Sequence, residues 1–238
     1  MQHRTKSKRF LILFLAFALM LTGTIAGCKP YTIVTVAEAT RVAAGNAFDA
    51  ESFAAARWGD VTATILEKAV DLSTVLAAVH TDSAKMVKKE DLQAVADQYG
   101  LTTEGNAQVF MVKGQGTVSE VNTEKSTGWM TLKLDGYDGP IGVKFFIGTR
   151  IPSDETSVRD GVGFIKFGDF REQTEYGKVG RELNQRVLDE VLAKLDRDNL
   201  QGKSLSFYGA FTVRTQNIPG DINIAEVIVT PVQLEVGG

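Results

Sequence analysis

The fold is decided by residues 163–195, which read GFIKFGDFREQTEYGKVGRELNQRVLDEVLAKL. Residues 163–167 are apolar enough for a short strand, and Gly168-Asp169 favours a turn. A long amphipathic helix follows at about residues 169–197, with Asp169 as its N-cap. At about 100° per residue, one helix face collects Tyr176, Val179, Gly180, Leu183, Val187 and Val191. Because strand-rich segments flank this helix on both sides, we expect it to plug a small β-barrel.

Two polar residues share this apolar helix face. Gln173 and Asn184 carry amide side chains, and a buried amide without a hydrogen bond costs roughly 1–3 kcal/mol. The pattern therefore predicts that both amides point inward and bond to the barrel backbone. We assign them a structural role, together with Asp169 and Tyr176, rather than a role in binding a ligand.

A secretory signal occupies residues 1–27. A basic head precedes Phe10–Leu21, an uninterrupted apolar run of 12 residues that is too short to span a bilayer. Ile25-Ala26-Gly27 then leads to Cys28, the only cysteine, in the manner of the lipobox at which bacterial lipoproteins are cleaved and acylated. The pattern predicts that Cys28 is the lipidated N-terminus of the mature protein. The alternative is an ordinary signal peptide with an incidental cysteine.

The charge of the mature chain excludes nucleic acid as a partner, and its few histidines and cysteines exclude several kinds of site. Removing the signal takes four of the 26 Lys and Arg and none of the 29 Asp and Glu, which leaves a formal charge of −7. A surface of that sign repels phosphate backbones, so nucleic acid is excluded as a partner. His80 is the one histidine left, and we interpret it as a surface or cap residue. We expect no metal, no other cofactor and no cysteine nucleophile.

The first part of the mature chain predicts helices. Residues 28–47 form a tether that leaves the membrane, and residues 48–105 form a helical subdomain. Its first helix begins after Asp49, a typical N-cap, and its third ends near Tyr99-Gly100.

Residues 106–238 alternate apolar and polar positions with the period of β-strands. Three strand patterns precede the long helix and two follow it, and a bulge or an edge position is expected at Thr230-Pro231. Three strands, a helix and two strands is the order of the five-stranded OB-fold. We predict an α+β fold in which a small OB-like barrel with a capping helix lies beside the helical subdomain. A generic α+β sandwich is the alternative.

The OB-fold order also predicts where a partner docks. OB-folds bind through the second and third strands and the loops that join strands one to two and four to five, here residues 122–127 and 214–223. Trp129, Lys144 and Arg214 are candidate binding residues on these elements. Alternatively, the helical subdomain or the N-terminal segment covers Trp129.

The loop at residues 148–161 holds the remaining candidates. Arg150, Arg159 and Asp160 could bind a polar ligand through forked hydrogen bonds. Equally, Arg159 and Asp160 could form a structural ion pair that fixes the loop to the barrel, which is the interpretation we favour.

Several motifs of the chain, taken together, resemble one family. The resemblance is carried by the lipobox, Phe48-Asp49 with Trp58, Lys113-Gly114-Gln115-Gly116, Arg159-Asp160, residues 163–170, Gln173, Tyr176, Leu183-Asn184 and Val187. They look like the predicted periplasmic lipoproteins of domain of unknown function 2291. The resemblance implies an OB-like domain beside helices, an envelope location and no established activity. Genes of this family often lie beside simple-sugar ABC transporter genes, which suggests an accessory role in uptake.

The sequence is compatible with three functions. The leading hypothesis is a non-catalytic periplasmic lipoprotein, anchored through Cys28 to the inner or outer membrane of a Gram-negative bacterium, that binds or assembles components of a simple-sugar ABC uptake system. Its partners would be the transporter or its sugar-binding protein. The second is an envelope enzyme that acts on carbohydrate through carboxylates such as Asp160 and Asp169. The third is a purely structural lipoprotein.

Overall fold

Residues 48–237, the part of the chain that the computed structural model describes, hold nine strands and five α-helices. Cys28, the signal at 1–27 and the tether at 28–47 lie outside the described residues. The strands are β1 (Val70–Asp71), β2 (Met86–Val87), β3 (Leu101–Thr102), β4 (Gln108–Asn122), β5 (Trp129–Leu134), β6 (Gly142–Phe146), β7 (Ser204–Val213), β8 (Ile222–Asn223) and β9 (Glu226–Val236). The α-helices are α1 (Ala50–Lys68), α2 (Leu72–Ala78), α3 (Lys89–Tyr99), α4 (Ser157–Gly161) and α5 (Gln173–Arg186).

Five strands close into a barrel. β4, β5, β6, β9 and β7 follow one another around the ring, and β7 pairs back onto β4. Every neighbouring pair is antiparallel except β6 with β9, the third and fifth strands of the barrel. The prediction of an α+β fold with an OB-like five-stranded barrel is confirmed.

Glycine and a bulge let the barrel strands bend. β4 pairs with β7 up to Thr117 and with β5 from Gly116 onward, so the strand changes partners at Gly116. A Cβ atom at Gly116 would collide with the carbonyl oxygen of Lys133, so only glycine fits there. On β9, Pro231 is opposite Gly209 while Gln233 is opposite Tyr208. The irregularity between these pairs confirms the bulge expected beside Thr230-Pro231.

The barrel interior is closed by helices from the N-terminal part of the chain. Interior side chains such as Phe110, Phe145 and Phe207 share one hydrophobic cluster with buried residues of α2 and α3. The helical residues of this cluster are Leu72, Val75, Leu76, Leu92, Val95 and Ala96. Six apolar side chains from two helices therefore cover the barrel core, and their burial is the main contribution of α2 and α3 to stability.

The body of α5 does not plug the barrel as expected. Its buried apolar side chains, Val179 and Leu183, belong to a second cluster. They share it with Trp58, Val61 and Ile65 of α1 and with Phe146 and Val232 of the barrel wall. Only the segment after α5 reaches the interior cluster, through Leu195 and Leu200. The expectation is corrected because a helix with one apolar face fits a barrel wall as well as a barrel end, and α1 supplies the other side of a two-helix layer.

The start of this helical segment also differs from the expectation. Residues 163–167 form no strand, since the barrel ring is already closed by five strands and offers them no free edge. Asp169 ends a 3₁₀ turn at Phe167–Asp169, and Glu172 is the residue before α5. The Asp169 carboxylate accepts the Lys166 N–H at 3.1 Å, so it caps its own turn rather than α5. After α5 the helix widens into a π turn at Val187–Val191 and ends in a 3₁₀ turn at Leu192–Lys194.

By contrast, the first helix begins where the sequence predicts it. Asp49 is the N-cap of α1, and its carboxylate accepts the Ser52 N–H at 3.0 Å.

Among the described residues, no helix is both long and apolar enough to cross a bilayer.

Candidate functional site

A cleft of about 750 Å³ lies between the loop at residues 214–224 and the outer wall of the barrel. Phe146 of β6 and Ile228 of β9 contribute apolar wall, and Ile218 of the loop is 39% exposed. The loop joins the fourth and fifth barrel strands, one of the two loops from which OB-folds build their ligand face. We refer to this space as the docking cleft.

Arg214 closes one end of the docking cleft. Its Nη1 lies 3.2 Å from Oδ2 of Asp154, and its Nη2 donates to the Asp154 carbonyl oxygen. Both side chains are exposed, and exposed ion pairs contribute at most about 1 kcal/mol. The pair therefore fixes the spacing of the two loops more than it stabilises the fold.

Glu155 is the titratable residue of the docking cleft whose environment is most unusual. Burial raises the pKa of its carboxyl, against the opposing effects of the Ser157 hydrogen bond and the Arg214 charge. The Ser157 N–H donates to Oε1 at 2.8 Å, and the Ser157 hydroxyl lies 2.8 Å from that of Thr212 on β7. Glu155, which lines the cleft, is thereby tied to the barrel wall through Ser157.

The raised pKa of Glu155 predicts how stability varies with pH. A carboxyl whose pKa is higher in the folded state holds its proton more tightly when folded, so stability falls as pH rises from the unfolded pKa through the folded one. We expect Glu155→Gln, which keeps the acceptor oxygen, to raise the melting temperature at neutral pH and to leave it unchanged near pH 3. Thermal denaturation of both proteins across pH 3–8 measures this. An equal difference at every pH would contradict the assignment.

A group of three side chains extends the docking cleft along the barrel. The Lys144 Nζ lies 4.4 Å from the centroid of the half-buried Trp129 ring and 2.7 Å from Oε2 of Glu226, which also lines the cleft. Trp129 belongs to neither hydrophobic cluster, although its ring is half-buried. What lies over the ring in the described part of the chain is the Lys144 ammonium, a cation–π contact.

Arg159 and Asp160 lie apart from the docking cleft, where they line a second space of about 710 Å³ together with Tyr176. Arg159 Nε donates to Asp160 Oδ1 at 2.7 Å, with side chains only 7% and 10% exposed. Arg159 Nη1 donates to the Tyr176 carbonyl at 3.0 Å, and the Tyr176 hydroxyl donates to Asp160 Oδ1 at 2.8 Å. Burial, and next the Asp160 charge, raise the pKa of the Tyr176 phenol, so it stays protonated. The expected ion pair is present, and it joins α4 to α5.

The two amides of α5 have different environments. Asn184 is buried, and its Nδ2 donates at 2.8 Å to the carbonyl of Glu155, in the loop after β6 rather than in a strand. Gln173 is exposed, which corrects the expectation that it points inward. The reason is its position, because it is the first residue of α5 and lies beyond the packed part of the face. Arg150 is exposed and lines a small hollow of about 240 Å³ beside Asn184.

These environments predict that the same substitution has a large effect at Asn184 and a small one at Gln173. Asn184→Leu removes a buried amide and leaves the part-buried Glu155 carbonyl without its donor, so we expect a loss of about 1–3 kcal/mol in the free energy of unfolding. Gln173→Leu removes no buried bond, and we expect a change within about 0.5 kcal/mol. Urea denaturation of the two variants measures both values. A cost at Gln173 equal to that at Asn184 would show that both amides are buried.

The predicted site residues thus fall in three places. Arg214 lies at the docking cleft with Trp129 and Lys144 beside it, Arg159 and Asp160 lie in the Tyr176 network, and Arg150 lies in the small hollow. Sequence reasoning missed Glu155, Ile218 and Glu226. The parallel pairing of Gly142 with Glu226 follows from OB topology and could have placed Glu226 near Lys144.

Metal-ligating clusters and histidines are scarce among the described residues. Within residues 48–237, no group of three or more His, Cys, Asp or Glu side chains could hold a metal ion. The single histidine of that range, His80, is exposed.

Comparisons with known proteins agree with this fold. Residues 15–235 match the family model described as predicted periplasmic lipoprotein, DUF2291. An OB-fold protein from Thermotoga maritima, solved by crystallography, is similar with a TM-score of 0.56 and 20% sequence identity. The similarity covers 81% of this chain and 100% of the other, and at that identity it shows the fold alone. No curated protein matches the chain.

Proposed function

The chain belongs to the DUF2291 family of predicted periplasmic lipoproteins, and we propose that it is a membrane-anchored, non-catalytic accessory of a simple-sugar ABC uptake system. In this proposal the barrel binds or assembles a component of the system, either the membrane-embedded transporter or the sugar-binding protein that delivers to it. Acylated Cys28 keeps the barrel near that component.

One observation carries the proposal: the docking cleft lies at the edge where OB-folds bind their partners. It combines apolar wall from Phe146 and Ile228 with an exposed Ile218 on its rim. An apolar centre with a charged rim is the composition of a protein-binding surface. The cleft also continues through Glu226 to Lys144 and to the Trp129 ring beside it.

The chemistry of the cleft supports binding rather than turnover. Arg214 is paired with Asp154, and Glu226 is paired with Lys144. Glu155 is held by a backbone N–H and has a raised pKa, but no histidine, cysteine or second carboxyl is hydrogen-bonded to it among the described residues to complete a catalytic pair. These paired groups thus hold the cleft in shape.

Sugar uptake by whole cells tests the proposal. A deletion strain should lose most uptake of at least one sugar in a panel of radiolabelled ribose, xylose and galactose. The wild-type gene should restore that uptake. Unchanged uptake of every sugar tested, together with altered envelope integrity, would favour a structural lipoprotein.

A matched pair of variants locates the function in the docking cleft. Ile218→Asp places a charge at the cleft rim, whereas Val236→Asp changes a residue of similar exposure, 41%, at the end of β9. Complementation should fail with the first variant and succeed with the second. Equal complementation by both would place the partner surface elsewhere.

A further inference from the structure

Two exposed phenylalanines stand out on the surface of the described residues. Phe164 and Phe167 are 38% and 45% exposed, and they lie three positions apart in the loop at residues 164–170, with the exposed Lys166 between them. We refer to this stretch as the aromatic loop. The other large exposed apolar residues of the described range, Leu66, Ile218 and Val236, are aliphatic and lie in three different elements.

The aromatic loop holds these rings outward on a fixed backbone. The Asp169 carboxylate accepts the Lys166 N–H at 3.1 Å, and the Phe170 N–H donates to the Phe167 carbonyl at 3.1 Å. The Phe167 ring also packs edge-on against Tyr176, with centroids 5.7 Å apart. The outward position of Phe167 is therefore built into the turn and is not the result of a loose loop.

The chain enters the described structure beside this loop. Phe48, its first described residue, packs edge-on against Phe170 with ring centroids 5.4 Å apart, and Phe53 of α1 does the same. The predicted lipidation site, Cys28, is twenty residues earlier, a length that spans at most about 70 Å when fully extended. The described structure thus begins beside the aromatic loop, twenty residues after the predicted anchor.

From this juxtaposition we propose that the aromatic loop contacts the surface of the lipid bilayer and sets the orientation of the anchored protein. Aromatic rings beside a lysine suit the membrane interface, where the ring enters the acyl boundary and the ammonium stays among the headgroups. The inference goes beyond the proposed function, since it concerns how the protein lies on the membrane and not what it binds. In this orientation the acyl anchor and the aromatic loop act together as two attachment points.

Single-cysteine labelling tests the contact. In the acylated protein the sulfur of Cys28, the only native cysteine, is blocked, so a new cysteine is the single free thiol and the unsubstituted protein should take no label. We would attach a fluorophore to Phe167→Cys and to Leu66→Cys, reconstitute the lipidated proteins in vesicles of phosphatidylethanolamine and phosphatidylglycerol, and add lipid-borne quenchers. Leu66 is a suitable control because it is 38% exposed and lies thirteen residues beyond Phe53 on α1, about 20 Å along the helix axis.

We expect lipid-borne quenchers to reduce emission at position 167 at least threefold more than at position 66. Equal quenching at the two positions would overturn the proposal. So would a label at 167 that is shielded from both aqueous iodide and lipid quenchers, since this would indicate a protein partner on the aromatic loop.

A second measurement does not depend on labelling. The mature chain from residue 28, with Cys28→Ser, carries neither the signal nor an acyl group, so its co-sedimentation with the same vesicles reports the aromatic loop without the anchor. Phe164→Ser with Phe167→Ser should lower the bound fraction at least tenfold, whereas Leu66→Ser should not change it. Binding that is unaffected by the double substitution would contradict the proposal. Because neither experiment involves sugar uptake, failure here leaves the proposed function untouched, and the reverse also holds.

Discussion

Replacing Cys28 with serine should move the protein from the membrane fraction to the soluble fraction or leave it unprocessed with its signal attached. Cys28 is the only cysteine, and it follows the small residues Ala26 and Gly27 at the end of a short apolar run. A serine oxygen cannot receive the thioether-linked lipid, and several acyl chains account for stable attachment to a bilayer. The expected effect is close to complete, because the acyl chains are the predicted anchor of the protein.

Fractionation and intact-mass measurement of the wild type and Cys28→Ser check this expectation. The wild type should carry the mass of acyl chains on residue 28. A Cys28→Ser protein that is processed at the same position and sediments with membranes in high salt would contradict it.

Breaking the Arg159–Asp160 pair should cause the largest loss of stability among single substitutions outside the hydrophobic core. Arg159→Met removes the cation and leaves the Asp160 carboxylate, 10% exposed, with the Tyr176 hydroxyl as its remaining hydrogen-bond donor among the described residues. Removing one partner of a buried ion pair costs about 3–5 kcal/mol. The cation over the Tyr176 ring, at 3.5 Å from the centroid, is lost as well.

The chain offers a matched control for this loss. Arg57 and Asp60 form an exposed pair on α1 at 3.4 Å, with side chains 50% and 64% exposed. Arg57→Met should therefore change the free energy of unfolding by less than about 1 kcal/mol. Urea denaturation of both variants compares the two pairs directly. Similar small costs at both positions would show that the Arg159 network is not a stabilising junction.

Much of the barrel could be predicted because its strands alternate cleanly. In β5, Met130, Leu132 and Leu134 are all buried, in agreement with the period-two pattern. The order of three strands, a helix and two strands then fixed the ring, since few closed topologies fit five strands. The bulge beside Pro231 was predictable for a local reason, because proline cannot donate to a ladder.

The position of α5 could not be predicted from its pattern. An apolar helix face specifies that something covers it, but not which surface does so. The covering surface is α1, more than 100 residues earlier in the chain, where Trp58 donates its indole N–H to Glu190 at 2.8 Å. That hydrogen bond joins an indole to a carboxylate. Hydrophobic periodicity predicts that Trp58 is buried, but it does not predict the polar partner.

The docking cleft could be predicted only in part, because some of its residues are brought together by distant parts of the chain. Its loop at 214–223 and Arg214 followed from the strand order, and the candidates Trp129 and Lys144 followed from strand alternation. Glu155 could not be distinguished from the other carboxylates of its loop, because its burial depends on β7 and on the loop at 214–224. A pKa shift that arises from burial has no local signature in a sequence.

Capture of the lipidated protein from membranes tests the central claim most directly. The tagged wild type would be crosslinked in cells, extracted in mild detergent and analysed by mass spectrometry beside Ile218→Asp and Val236→Asp. We expect the wild type and Val236→Asp to retain a component of a simple-sugar ABC system, and Ile218→Asp to lose at least nine-tenths of it. A captured set that contains no transporter component, or one that Ile218→Asp leaves unchanged, would contradict the account.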